Sequence, residues 1–266
     1  PTGMLRPGVP LCPPEGDAGT GMVATNSVRP RTGSVSAGTS AFAMIVLERP
    51  LRTLVEQIDL VATPSGAPVA MAHSNNCTSD LNAWVEVFDQ FARAIGAPVE
   101  RGRLFDVLLG AADDGSMDDA GVVAFNFLSG EHLVGLASGR PMVVRRPEST
   151  LSLAALMRAH LFAAFASMAY GVRVLRANAD VPIDSMFAHG GIFATPVSVG
   201  ATASEGGAWG MALLAGYMLW AEGRPLEDYL SQVVFRDMEI LTIAPAPEQA
   251  EEYARYLETF MRALPV

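Results

Sequence analysis

The chain has 266 residues, of which 50% are hydrophobic and 17% are charged, so a sizeable buried core is expected and a polar, disordered chain is excluded. The net charge is −10 and all 18 basic residues are arginine, which argues against a nucleic-acid or anionic-membrane surface. The absence of lysine from the sequence also excludes Schiff-base catalysis and lysine-dependent phosphate loops.

The predicted elements alternate between short β-prone stretches and helical periodicities. Two strands flank Gly38-Thr39-Ser40 as in a hairpin, and apolar residues recur with helical spacing over 79–95. Arg158 and Arg173 are expected on the rim of the longest helix. In chain order the predictions are strands 34–37, 41–47 and 69–72, helix 79–95, strand 122–128, helix 151–175, strand 185–188, and helices 207–220, 226–234 and 247–264. The pattern predicts one mixed α/β domain over 1–266.

Cysteine content and apolar runs indicate the compartment. Cys12 and Cys77 are too few for a disulfide framework or a zinc cluster, and they fit a reducing cytoplasm. No leader-like segment opens the chain at Pro1. The longest charge-free apolar run, 206–221, is shorter than the roughly 20 residues that span a bilayer, so it predicts a buried helix. We expect a cytoplasmic protein without a membrane partner.

A first candidate site is the glycine-rich segment 15–21, which is predicted as a turn and contains Asp17. Small neighbours let a carboxylate approach a ligand closely, so Asp17 is a candidate general base that removes a proton from a substrate hydroxyl. The alternative is an Asx-turn that only shapes a loop.

A second candidate is the Gly38-Thr39-Ser40 turn between two predicted strands. Its backbone N–H groups and hydroxyls could donate to phosphate oxygens. Without lysine, such a cradle depends on amides, hydroxyls and a magnesium ion carried by the nucleotide. An ordinary hairpin is the alternative.

A third candidate is the Gly190-Gly191 pair at the end of a predicted strand. An adenosine or its phosphate could lie against this backbone at the carboxyl edge of a sheet, unless the pair forms a simple turn. His189 is interpreted as a structural histidine, since no second ligand stands at metal spacing. The small residues of 204–210 predict close helix–sheet packing.

The polar segment 73–80 precedes a predicted helix and contains Cys77. A nucleophilic role for this thiol lacks a general base at a fixed spacing, so a structural or substrate-rim role is favoured. The sequence carries no metal-ligand cluster, catalytic triad or P-loop signature.

Five motifs follow one another along the chain: Gly16-Asp17-Ala18-Gly19, Ala37-Gly38-Thr39-Ser40, Leu128-Ser129-Gly130-Glu131, His189-Gly190-Gly191 and Glu205-Gly206-Gly207-Ala208-Trp209-Gly210. In this order they resemble the C-terminal half of the FGGY family of carbohydrate kinases, close to the xylulose and ribulose kinases. The resemblance runs essentially from the first residue to the last.

The resemblance implies an actin-like ATPase fold of the ribonuclease H-like type, with a mixed sheet flanked by helices. It further implies two such domains around a cleft for sugar and MgATP. Residues 1–266 would form the C-terminal nucleotide-binding domain, and an N-terminal domain of the same polypeptide would supply most of the sugar site.

Roles are carried over by position in the same way. Asp17 matches the base that deprotonates the sugar hydroxyl. Gly38 and Thr39 match the turn that faces the terminal phosphates, with Ser40 as a weaker neighbour. The Gly190-Gly191 pair matches the glycines beside the α-phosphate and adenosine.

Two departures from the family pattern affect these expectations. The N-terminal half is absent, so the isolated chain is expected to transfer phosphate poorly. Thr195-Pro196 runs almost directly into Val197, where the family has a further helix. Either residues are missing from the sequence there, with the two flanking Cα atoms well beyond 3.8 Å, or a deletion damages the adenosine pocket. Apolar surface left exposed could drive formation of a homo-oligomer.

The leading hypothesis is therefore ATP-dependent phosphorylation of a ketopentose or polyol hydroxyl, with Asp17 as the base. The alternative is a non-catalytic nucleotide-binding or regulatory actin-fold protein. Another actin-fold ATPase, such as a chaperone, fits the motif order less well.

Overall fold

A computed structural model describes residues 8–113, 121–189, 206–238, 244 and 246–264. Its strands are β1 Thr32–Ala37, β2 Ala41–Val46, β3 Asp59–Ala62, β4 Pro68–Ser74, β5 Val122–Phe125, β6 Met142–Arg145 and β7 Ser185–His189. Its helices are α1 Asp17–Ala24, α2 Ser79–Ala94, α3 Arg101–Asp113, α4 Leu153–Asn178, α5 Gly206–Trp220, α6 Leu226–Tyr229 and α7 Pro247–Arg262. A π-helical turn, Leu230–Val234, follows α6 directly.

Five strands form a mixed sheet in the order β3-β4-β2-β1-β7. The pairs β3–β4, β4–β2 and β2–β1 are antiparallel, whereas β7 joins β1 in parallel. The parallel pair brings the carboxyl ends of β1 and β7 to the same edge of the sheet.

The sheet is covered by helices on both faces because its central strands are apolar on both sides. Met44 and Val46 of β2 pack in a cluster with residues of α1 and α5. The alternate residues Ile45 and Leu47 pack in a cluster with Leu175 of α4. The period-2 alternation of a strand thus assigns each helix to one face.

A second core lies on the other side of α4, where the antiparallel pair of strands β5 and β6 meets α7. Phe125, Phe127 and Phe260 are fully buried there, with the Phe125 and Phe260 ring centroids 4.9 Å apart. Helix α4 therefore lies between two cores. By length and composition α4 could cross a membrane, but 56% of its most apolar window is buried inside the protein, as in a core helix.

Arg158 of α4 corrects one sequence expectation. It was expected on the rim of the helix, but it is 7% exposed. Its guanidinium forms a two-point ion pair with Glu252 of α7 and donates to the carbonyl of Ala112 at 2.8 Å. The arginine is tolerated inside because carboxylate and carbonyl oxygens satisfy its donors.

Most of the predicted elements are confirmed within a few residues, among them the β1–β2 hairpin, β4, α2, α4 and β7. Segment 15–21, however, was expected as a turn, and the structure begins α1 at Asp17. Glycines disfavour helix by about 1 kcal/mol each, and here the packing of α5 against α1 outweighs that propensity. Helix α5 was expected to be buried throughout, but Leu219 and Trp220 are exposed.

Besides α1, the described part of the chain contains three elements that were not predicted: β3, α3 and β6. The first and last are four-residue strands with mostly exposed side chains, so they lack a clear apolar alternation. The predictions on Gly190, Gly191 and the junction of Pro196 with Val197 lie outside the described residues.

Candidate functional site

The candidate site is built on the carboxyl edge shared by β1 and β7. In the parallel register Ser36 stands opposite His189, the residue that immediately precedes Gly190. Strand β1 ends at Ala37, so the Gly38-Thr39-Ser40 turn leaves the sheet at the same edge. Carboxyl ends of parallel strands are the usual ligand edge of an α/β sheet.

The Gly38–Ser40 turn is largely exposed and contains one internal hydrogen bond. Gly38 N donates to Ser40 O at 2.9 Å, which closes the turn. Among the described residues, no hydrogen bond engages the amides of Thr39 and Ser40, so both N–H groups are free to donate to a ligand. A Cβ added at Gly38 would find no atom nearer than 4.0 Å, so the space beside this residue is open.

Asp17 lies in the first turn of α1, after Gly16 at the N-cap. Its side chain is exposed, and its Oδ1 accepts a hydrogen bond from the amide of Ala18 at 2.9 Å. Asp17 thus lies at the N-terminal end of a helix, where a negatively charged side chain interacts favourably with the helix dipole.

His189 connects this helix to the sheet edge. Its imidazole fills a slot between two glycines: a Cβ on Gly21 would lie 2.6 Å from Nε2, and one on Gly206 would lie 2.8 Å from Nδ1. Gly21 is one helical turn from Asp17, and burial lowers the pKa of His189 while the Asp17 charge partly raises it. The slot therefore brings α1, α5 and the end of β7 together.

Cys77 is buried behind the hairpin turn. Burial raises the pKa of its thiol to about 12, so the nucleophilic thiolate is strongly disfavoured near neutral pH. Its amide donates to Thr39 O at 3.0 Å. Within the described parts of the chain, no group of three His, Cys, Asp or Glu side chains is arranged to hold a metal ion.

The small residues 206–210 pack closely, but against a helix rather than the sheet. A Cβ on Gly210 would lie 1.9 Å from the carbonyl oxygen of Thr20 in α1. The predicted close packing is thus present with a different partner. Sequence reasoning did not foresee the slot around His189, because its two glycines are distant from the histidine in the chain.

Comparison with protein families identifies the family to which this chain belongs. The model of the FGGY family of carbohydrate kinases, C-terminal domain, matches residues 33–219. The chain belongs to the FGGY family of carbohydrate kinases. The FGGY kinases phosphorylate sugars, and as kinases they use ATP. No curated protein sequence matches the chain.

Solved FGGY kinases share the fold. Xylulose kinase from Bifidobacterium adolescentis aligns with a TM-score of 0.63 at 18% identity, over 92% of this chain and 47% of that one. Xylulose kinase from Rhodospirillum rubrum aligns with a TM-score of 0.64 at 18% identity, over 92% and 49%. Plasmodium falciparum glycerol kinase, solved with ADP, aligns with a TM-score of 0.68 at 11% identity, over 94% and 50%.

The expected fold class is confirmed: this FGGY chain has the actin-like, ribonuclease H-like arrangement of a mixed sheet between helices. It spans about half the length of the kinases it matches. The matching family model describes the C-terminal domain of a two-domain kinase, and the half-length coverage is consistent with an N-terminal partner domain.

Proposed function

We propose that this chain supplies the nucleotide half and the catalytic base of an ATP-dependent kinase that phosphorylates a ketopentose or polyol hydroxyl. The observation that carries the proposal is the meeting of three features at one sheet edge. The helix of Asp17, the Gly38–Ser40 turn and the residue before Gly190 are joined there by the β1–β7 register and the His189 slot.

In the proposed reaction Asp17 accepts the proton of the attacking sugar hydroxyl. The free amides of Thr39 and Ser40 donate to the terminal phosphate oxygens, where negative charge accumulates during transfer. Gly190 and Gly191 are assigned to the α-phosphate and adenosine by their sequence position. When bound, MgATP supplies the γ-phosphoryl group and the cation that neutralises it.

We further propose that the sugar is held mainly by an N-terminal domain of the same polypeptide. In-line transfer requires both walls of the cleft, because the attacking oxygen must be aligned with the phosphorus. The 266-residue chain by itself is therefore expected to bind nucleotide and to turn over poorly.

The test is a coupled ADP-release assay of the natural full-length protein against a panel of ketopentoses and polyols. Asp17→Asn is expected to lower kcat by roughly 10²- to 10⁴-fold, the range of general-base catalysis, with little change in nucleotide affinity. Asp184→Asn is the matched control, since this exposed carboxylate lies just before β7, at its opposite end, paired with Arg31. Undiminished turnover in Asp17→Asn would remove that residue from the base role.

The same assay separates the alternative function. A full-length protein that binds MgADP but phosphorylates no member of the panel would be a non-catalytic nucleotide-binding or regulatory protein. The shortened segment after Gly191, around Thr195-Pro196, is the sequence feature that favours this second candidate.

A further inference from the structure

The Gly38–Ser40 turn rests on residues 74–78, which we call the backing loop. Thr78 donates to the Gly38 carbonyl twice, from its amide at 3.1 Å and from its hydroxyl at 2.6 Å. The Cys77 amide donates to the Thr39 carbonyl at 3.0 Å. The position of the turn therefore depends on the position of the backing loop.

Asn76 of the backing loop is held by the loop that follows β5. Its side-chain oxygen accepts from the amides of Leu128 and Ser129, at 2.9 and 3.0 Å, and from the Ser129 hydroxyl at 3.2 Å. Asn126 Nδ2 donates to the carbonyls of Asn76 and Cys77, at 3.2 and 3.0 Å. The 128–131 motif thus lies directly behind the proposed phosphate turn.

Glu131 lies at the base of this network and is completely buried. Its Oε2 accepts from the Ser74 hydroxyl at 2.9 Å, the Asn76 amide at 3.2 Å and Asn76 Nδ2 at 3.1 Å. Within the described structure Oε1 has no hydrogen-bond partner and lies 3.8 Å from His132 Nδ1. A buried carboxyl group is costly, and the donors around Oε2 offset that cost only while the backing loop keeps its shape.

We propose that Glu131 is a positioning residue for phosphoryl transfer, acting through Asn76 and the backing loop to hold the Gly38–Ser40 turn. The proposal rests on the proposed function of that turn. Glu131 reaches no reacting atom itself. Its contribution is to fix where the Thr39 and Ser40 amides stand, and a sub-ångström displacement of such donors weakens their bonds to phosphate.

Glu131→Leu keeps the side-chain volume but removes the acceptor of the buried Asn76 amide. The Ser74 hydroxyl and Asn76 Nδ2 keep other acceptors, the carbonyls of Asn76 at 2.8 Å and Ser129 at 3.3 Å. The cost of leaving this buried amide unsatisfied is enough to displace the loop, so MgADP affinity of the 266-residue chain is expected to fall about tenfold or more. Glu131→Gln retains an acceptor oxygen and is expected to stay within about threefold of wild type. Isothermal titration calorimetry measures the MgADP affinity of both variants.

A nucleotide-free readout keeps this test separate from the proposed function. Amide hydrogen exchange of Cys77 and Thr78 is expected to accelerate at least about tenfold in Glu131→Leu and to be restored in Glu131→Gln, with β3–β4 amides unchanged. The control Glu252→Gln removes another buried carboxylate, paired with Arg158. It should lower global stability without a selective effect on Cys77 and Thr78.

The outcomes divide clearly. If wild type binds no MgADP, the proposed function fails, while the exchange data still report whether Glu131 holds the turn. If Glu131→Leu leaves both affinity and exchange at wild-type values, the positioning role is overturned. Should Glu131→Leu not fold, Ser74→Ala removes one donor to Oε2 and must give a smaller change in the same two readouts; no change would overturn the role.

Discussion

The imidazole of His189 shows how one residue sets the relation of distant segments. It is buried, and its two ring nitrogens face the backbone positions of Gly21 and Gly206. Any larger residue at either glycine would collide with the ring. The residue that precedes the Gly190-Gly191 pair therefore also sets the distance between that strand end and the helix of Asp17.

The same burial predicts a pH dependence of stability. Burial lowers the pKa of His189 below its usual 6.5, so below about pH 6.5 the unfolded chain binds a proton that the folded chain resists. The free energy of unfolding should fall as pH decreases through this range, by at most about 1.4 kcal/mol per pH unit from this group. Asp17 opposes the effect in part.

Urea unfolding of wild type and His189→Gln between about pH 5 and 8, the range in which histidine titrates, measures this contribution. The variant is expected to show the shallower decrease on acidification, whatever its absolute stability. Equal slopes in the two proteins would show that His189 is not held neutral by the fold.

At the scale of elements, the contact of α1 with α5 depends on where the small residues of α5 face. Gly210 lies against the backbone of Thr20, which a Cβ at that glycine would overlap. A Cβ at Gly207 would instead have the Thr20 hydroxyl as its nearest neighbour, at 3.8 Å. The two glycines are three residues apart on one helix and differ in the space beside them.

Gly210→Ala is expected to destabilise the protein by about 1–3 kcal/mol or more, because the rigid backbone of α1 must move to accept the methyl group. Gly207→Ala is expected to be neutral or stabilising by up to about 1 kcal/mol, through helix propensity. Thermal and urea unfolding of both variants give the comparison. Equal losses would mean that α5 does not pack through Gly210.

The hairpin and α4 could be predicted because their signals are local: a glycine turn between β-prone stretches, and a long Ala- and Leu-rich segment. Helix α1 could not, since the glycines at 19 and 21 oppose helix formation locally and only packing explains it. The exposed face of α5 was also unpredictable, because an apolar residue such as Trp220 carries no signal of which face meets a partner.

At the scale of the whole molecule, the buried Arg158–Glu252 pair connects the second core to helix α3. It joins α4 to α7, and through Ala112 it also holds the end of α3. The Arg158 guanidinium lies over the Phe162 ring at 5.0 Å from its centroid. A charge in this position is stable only with its counter-charge present.

Glu252→Gln is therefore expected to cost about 3–5 kcal/mol of unfolding free energy, because it leaves an uncompensated guanidinium in the core. The double variant Arg158→Met/Glu252→Met is expected to be less destabilised than Glu252→Gln, since no charge remains to be buried. Urea unfolding checks both. If Glu252→Gln lowered the unfolding free energy by less than about 1 kcal/mol, the pair would contribute no more than a typical exposed ion pair.

The sequence alone established the fold class, the family resemblance and the candidates Asp17, Gly38 and Thr39. These follow from turn residues, periodicity and motif order, which are local properties of the chain. The tertiary structure decided which polar groups are buried and what they hold: Arg158 lies 94 residues from Glu252, and Asn76 lies 55 from Glu131. Such pairings depend on chain segments that meet only after folding. A local pattern records the preference of one segment, whereas burial is a property of the partners that cover it.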